Sequence, residues 1–340
     1  MTIGIAVRGP GAGLAAFRAL EAVEKIGRGA IGGFVSFAAL TADGRLLRAE
    51  TQRGGTATLF TDGEATGVAP PADIATAPLA GLMSSGPDRP APLSQFTPAA
   101  PNVGIVTGHR LPNMPGRDGV ALNQAVLDRM IKGEPAAQAA EIMLEQNPEA
   151  DAGIIALGLE GEAFAGNTAH VAKRGDLGLA LASDATTGSV VAVLHNAIHP
   201  HGPLADLAAA VALDVMNPPD RADFTIEIAA GMPLALGDDN AVQVDAEGRA
   251  LTITVTQASW LGPSRDGAVI DFAARVLRDG RLIGRTIAEP YSVVRGGRLL
   301  SLSGGDCVTI GVRAGLPDTH VDKSKQPRPV DRPGREIEDD

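Results

Sequence analysis

Three of the chain's six histidines fall at 195, 199 and 201 in the run HNAIHPHGP. Imidazoles gathered on one loop suit zinc when a carboxylate completes the tetrahedron, and Asp184 or Asp206 is available for that. Pro200 and Pro203 keep the rings off a single helical face. A metal-dependent hydrolase centred on His195, His199 and His201 is therefore an alternative reading, and no metal ligand is assigned. The same loop offers His195 and Asn196 as polar contacts to a substrate. A second polar loop, GHRLPNMPGRDG, brings His109, Arg110, Asn113 and Arg117 together after a strand candidate, a set suited to an anionic small molecule. The turn Gly9-Pro10-Gly11-Ala12-Gly13 joins a strand to a helix, where free amides and the helix dipole form an anion site. It lacks the third glycine of a dinucleotide fingerprint and a Walker lysine, so no nucleotide cofactor is expected. Arg8, beside that turn, is available to hold a carboxylate.

These residues need elements to carry them. Thr2 to Val7 reads as a strand and about Leu14 to Ile26 as a helix, with Leu14, Phe17, Leu20 and Val23 on its apolar face and Gly27 to Gly29 as its stop. FVSFAAL and RLLRAETQ flank a glycine-ended turn at 41–44 and predict a hairpin closed by Gly54 and Gly55. From 64 to 102 the segment holds eight of the 24 prolines, which predicts a meandering insertion or lid. A strand at Val103 to Thr107 and helices at 119–132 and 136–146 follow, then a second hairpin, DAGIIALGLEGEAFAGNT. Ser189 to Leu194 reads as a strand ending at the histidine loop, with a helix starting near Pro203. Beyond Asn217, short strands with glycine turns predict a smaller β-rich domain over 218–316. The charged segment 317–340 reads as a disordered tail.

At 340 residues the chain has room for about two domains. Its 44% hydrophobic content supports a large core, and only 3% aromatic residues means that small aliphatic side chains build it. A net charge of −11 argues against nucleic acid as a partner, because phosphate binding needs a basic surface. No run reaches the ~20 apolar residues of a membrane span, and the start lacks the pattern of a signal peptide. The one cysteine, Cys307, excludes an intramolecular disulfide. These features predict a soluble cytoplasmic protein acting on a small molecule, with no membrane partner; homo-oligomerisation is left open.

The order hairpin, helix pair, hairpin resembles the Ntn-hydrolase superfamily, in particular its isoaspartyl-peptidase and asparaginase branch. NQAVLDRMIKGEPAAQAAEIMLEQNPEADAGIIALGLEGEAFAGNT looks like that branch's paired helices entering the strand before an asparagine-threonine loop. GAIGGFVSFAALTADGRLLRAETQRGG is similar to its hairpin ending in a double glycine. Together these cover about 70 residues. The resemblance implies an α/β (α+β) fold, a layered sandwich of antiparallel sheets with outer helices over 1–217, and hydrolysis of an amide bond. Such enzymes use a terminal Thr, Ser or Cys whose freed α-amine, with a pKa near ~8, takes the nucleophile's proton.

Where the branch has glycine then threonine, this chain has Gly33-Phe34, and Phe34 cannot attack. Thr2 is then the expected nucleophile, freed by loss of Met1; Thr56 and Ser189 would each need internal cleavage, and a chain without a nucleophile would be a catalytically silent small-molecule-binding member of the fold. The resemblance also implies that Gly54 and Gly55 donate to an oxyanion, with Thr56 beside them. It places Asn167 and Thr168 facing the site and gives Arg53 a substrate carboxylate. A lesser likeness to ring-opening amidohydrolases of cyclic ureides fits poorly, because those use paired serines and lysines and this chain has five lysines, two of them in the tail.

Overall fold

A computed structural model describes residues 1–161, 163–218 and 221–314. The chain divides into two units, Met1–Pro218 and the residues from 219 onward. The charged segment 317–340 lies outside the described residues. Among the described residues no helix is long and apolar enough to cross a membrane.

In the first unit the order is β1 (Thr2–Arg8), α1 (Ala12–Ile26), β2 (Phe34–Leu40), β3 (Leu46–Thr51), α2 (Thr56–Leu59), β4 (Thr61–Asp62), β5 (Ala65–Thr66), α3 (Ala72–Ala75) and β6 (Leu79–Ser85). It continues with β7 (Ala99–Ala100), β8 (Gly104–Arg110), α4 (Leu122–Ile131), α5 (Ala136–Gln146), β9 (Ala152–Gly158), β10 (Phe164–Asn167), α6 (Ala169–Ala172), β11 (Leu177–Asp184), β12 (Ser189–Asn196) and α7 (His201–Met216). An antiparallel six-stranded sheet runs β11-β12-β1-β6-β2-β3, and a four-stranded one runs β10-β9-β8-β7.

Side-chain alternation in β1 explains the layering. Ile3, Ile5 and Val7 point to one face and pack with Ala12, Phe17, Leu20 and Val23 of α1 and Leu204, Ala205 and Ala208 of α7. Ala6, on the opposite face, joins Leu194 of β12 with Ile105, Ile155 and Leu157 of the second sheet. The outer face of that second sheet is covered in turn by α4 and α5, through Val106, Ile154, Val126, Ala139 and Met143. Strands buried on both faces read as continuous apolar runs, which is why TIGIAVR carries no polar alternation.

The proline-rich insertion expected over 64–102 is corrected here. Its LAGLMSS run is β6, buried along its whole length and hydrogen-bonded between β1 and β2. The prolines flank this strand and do not interrupt it, so the donors that the ladder needs are kept.

The second unit is β-rich, with a seven-stranded and a three-stranded sheet between Phe224 and Arg313. Its own core includes Ile226, Val242, Ile253, Val276 and Ile310.

Candidate functional site

β1 is central in its sheet, so its first residue is held from both sides. Thr2 pairs with Asn196 of β12 and with Ser85 of β6. By alternation its side chain shares the face of Ala6 and points toward the second sheet. The sheets approach closely there: a Cβ on Gly4 would lie 2.4 Å from the Gly108 carbonyl oxygen. That closeness brings the end of β8 over Thr2. The Thr2 hydroxyl donates to Asn196 Oδ1 at 2.8 Å and accepts the main-chain N–H of Arg110 at 2.5 Å. Thr2 is 2% exposed.

Two residues beside Thr2 adopt backbone conformations that side chains disfavour. Arg110 has φ 63° and Ala197, next to Asn196, has φ 57°. Left-handed non-glycine residues cost on the order of 1 kcal/mol or more each and persist where surrounding structure fixes them, often at functional sites.

Behind Asn196 lies a buried polar group. His109 is fully buried and donates from Nε2 to Asn167 Oδ1 at 2.6 Å, given the tautomer with its proton on Nε2. Its Nδ1 has no hydrogen-bond partner. Burial pushes the imidazole down to about 4, against the opposing pull of Asn167 and Asn196, so the ring is neutral at physiological pH.

In front of Thr2 is a pocket of about 210 Å³ lined by Met1, Thr2, Arg89, Arg110, Leu111, Asp151 and Asn196. Arg110 forms a two-pronged ion pair with Asp151, Nη2 to Oδ2 being 2.6 Å, and that bond holds the Asp151 carboxyl below its ordinary value. The α-amine of Met1, which precedes the site, is lowered from its ordinary value, first by desolvation and then by Arg89 and Arg110, against Asp176.

The structure gathers Thr2, His109, Arg110, Asn167 and Asn196, and it separates the other expected site residues from them. Gly55 donates its N–H to Gly33 O and packs against Glu24, so it is no oxyanion donor; Gly54 packs on Thr58. Thr56 donates its N–H to Glu24 Oε2 at 2.9 Å. Arg53 is paired with Asp88 at 2.8 Å with its side chain 82% exposed. Arg8 sits at the far end of β1 and donates to the carbonyls of Gly158 and Gly161. Thr168 caps α6 and donates to Ala150 O. Ser189, at the opposite end of β12 from Asn196, accepts from Thr187. Phe34 is a core residue, edge-on to Phe96 at 5.0 Å.

The rings of the histidine loop lie close together, His199 to His201 at 4.1 Å and His195 to His201 at 6.5 Å between centroids, but His195 and His201 each commit a ring nitrogen to a bond within the loop. His195 points to the helix side of its sheet, its Nε2 bonded to His201 O, while His201 Nδ1 is bonded to Ile198 O. His109, expected to touch substrate, is instead buried behind the pocket. Among the described residues no group of three His, Cys, Asp or Glu is placed to hold a metal ion.

Ser85, Arg89 and Asp151 were not singled out by the sequence. The signal for Ser85 was the apolar run of β6, which ends in paired serines, inside a segment dominated by proline. Residues 2–225 match the family described as Domain of unknown function (DUF6963), and residues 231–307 match Domain of unknown function (DUF7259). No curated protein matches the chain.

Proposed function

The chain belongs to the family described as Domain of unknown function (DUF6963), whose match spans Thr2 and its neighbours; from the geometry of that site we propose that this unit is an amidohydrolase of the N-terminal nucleophile type. Its substrate is a small polar amide carrying a carboxylate. The observation that carries the reading is the placement of Thr2: a buried hydroxyl at the start of the central strand, bonded to a main-chain N–H and opening on a pocket with two arginines. The two antiparallel sheets between outer helices support the kinship with Ntn hydrolases.

Release of whatever precedes Thr2 leaves its own α-amine beside its hydroxyl. The amine takes the hydroxyl proton as Oγ1 attacks the substrate carbonyl carbon. Arg110 N–H, bonded to Oγ1 in the resting site, is the donor we assign to the developing negative charge, in place of Gly55, whose N–H is taken by Gly33 O. Collapse breaks the carbon–nitrogen bond, the proton passes from the amine to the leaving nitrogen, and an ester on Thr2 remains for water to hydrolyse. Asn196 orients the Thr2 hydroxyl, and Asn167 holds His109 behind it.

The test is intact-mass and amino-terminal sequencing of the purified protein, followed by turnover of asparagine, glutamine and small N-acyl amino acids. A free Thr2 amine, an acyl adduct on the Thr2 peptide and loss of turnover by ~10³-fold or more in Thr2→Ala are expected. Turnover by a protein whose Thr2 amine is blocked, or undiminished turnover in Thr2→Ala, overturns the reading.

A further inference from the structure

Among the described arginines of the Thr2 pocket and of the loop beside it, one lacks a carboxylate partner. Arg110 is neutralised by Asp151 and Arg53 by Asp88. Arg89 lines the pocket with Thr2 and has no carboxylate partner among the described residues. Its Nε donates to Ser85 Oγ at 3.2 Å, and no partner within the described residues takes its Nη1 or Nη2. Desolvation disfavours its charge, and no neighbouring carboxylate offsets that. In a chain of net charge −11, this pocket holds two guanidinium groups and one carboxylate.

The loop bearing Arg89 is also clamped. The Gln52 side chain donates to Arg89 O at 2.7 Å and accepts Arg89 N–H at 3.0 Å, gripping its backbone on both sides. The adjacent Asp88 is held by both prongs of Arg53. Ser85, fully buried, fixes the guanidinium by its inner nitrogen. A fork positioned in this way has lost much of its freedom before a ligand arrives, which strengthens binding. The two outer nitrogens match the two oxygens of a planar carboxylate.

We propose that Arg89 is the specificity-determining residue of the Thr2 pocket, a pre-organised receptor for one carboxylate of the ligand, with Gln52 and the Arg53–Asp88 pair as its positioning residues. This rests on the reading of that pocket as a substrate site. It gives Arg53 a different task from the one its sequence suggested: it holds the loop and does not touch the ligand. One uncompensated guanidinium, with Asp151 nearby, fits a monocarboxylate group better than a phosphate dianion.

The experiment is equilibrium titration of the full chain with succinate, its uncharged analogue succinamide, and inorganic phosphate, by calorimetry. Succinate is expected to bind the parent protein and to weaken on the order of tenfold or more in Arg89→Gln. Arg89→Lys should fall between, since it keeps the charge and loses the fork. Gln52→Ala should weaken succinate with Arg89 unchanged, and the exposed Lys132→Gln should match the parent. Thermal unfolding of each variant checks folding.

Equal succinate affinity in the parent and Arg89→Gln, or a preference for succinamide, overturns the proposal; tighter phosphate than succinate overturns the carboxylate assignment. Succinate binding is scored in Thr2→Ala as well. An Arg89-dependent titration beside Thr2-independent turnover would sink the catalytic reading alone. An Arg89-independent titration beside Thr2-dependent turnover would sink this inference alone.

Discussion

Thr2 and Asn196 are 194 positions apart in the chain and 2.8 Å apart at Oγ1 and Oδ1, joined across the ladder of β1 and β12. That bond fixes the rotamer of a hydroxyl that also receives the Arg110 N–H. Asn196→Ala should therefore lower kcat about tenfold to a hundredfold and stability by ~1–2 kcal/mol, because a buried donor loses its acceptor. Steady-state kinetics and urea unfolding check both, and an unchanged kcat would remove Asn196 from the site.

Gly4 and Gly108 set the spacing between the sheets. Gly4→Ala puts a methyl against the Gly108 carbonyl, with backbone on both sides and little room to yield. A loss of about 1–3 kcal/mol is expected. Activity should fall further than stability alone accounts for, because separating the sheets draws Arg110 N–H away from Thr2. Activity assayed well below the melting temperature separates the two effects.

His109 makes stability depend on pH. Its folded pKa is about 4 against an ordinary value of 6.5, so between those values the unfolded chain binds a proton that the folded one refuses. Its contribution is fully present above pH 6.5 and declines as pH falls toward 4, by up to about 3 kcal/mol in total. Urea unfolding at steps from pH 7.5 to pH 4 should show that slope, and His109→Asn should flatten it. Identical slopes in the two proteins would refute the assignment.

Glu24 works in the opposite sense. Its carboxyl lies under Gly55, Oε1 has no partner, and burial raises its pKa although Thr56 donates to Oε2. Folding then favours the protonated acid, so this contribution is present below pH 4.5 and is lost as pH rises through the folded value. Glu24→Gln should stabilise the protein at pH 7 by on the order of 1 kcal/mol, with a smaller difference at pH 4. Paired thermal melts at the two pH values test this.

Elements with clean periodicity were legible in the sequence. β1, α1, the hairpin of β2 and β3, the pair α4 and α5, and the hairpin of β9 and β10 lie where apolar spacing and glycine turns placed them. β6 was not, because eight prolines nearby suggested a lid while a seven-residue strand, apolar up to its two closing serines, sat between them.

Within the site, Thr2 could be singled out because the chemistry it suggested needs a particular position in the chain. Asn196, Asn167, His109 and Arg110 could be named, but their meeting depends on the register of two sheets, which local pattern does not encode. Arg89 had no local signal at all: its meaning lies in lacking a counter-charge, which only three-dimensional neighbours can reveal. The double glycine at 54 and 55 misled for a related reason, since its close approach is to Glu24 and not to the pocket.

Met1 borders the pocket, and its Sδ lies against the Ala30 N–H. Any chain joined ahead of Thr2 has to leave through the same mouth that a ligand must enter. A purification handle fused at that end would act as a plug tethered in place. How the recombinant protein is built thus decides whether its chemistry can be observed at all.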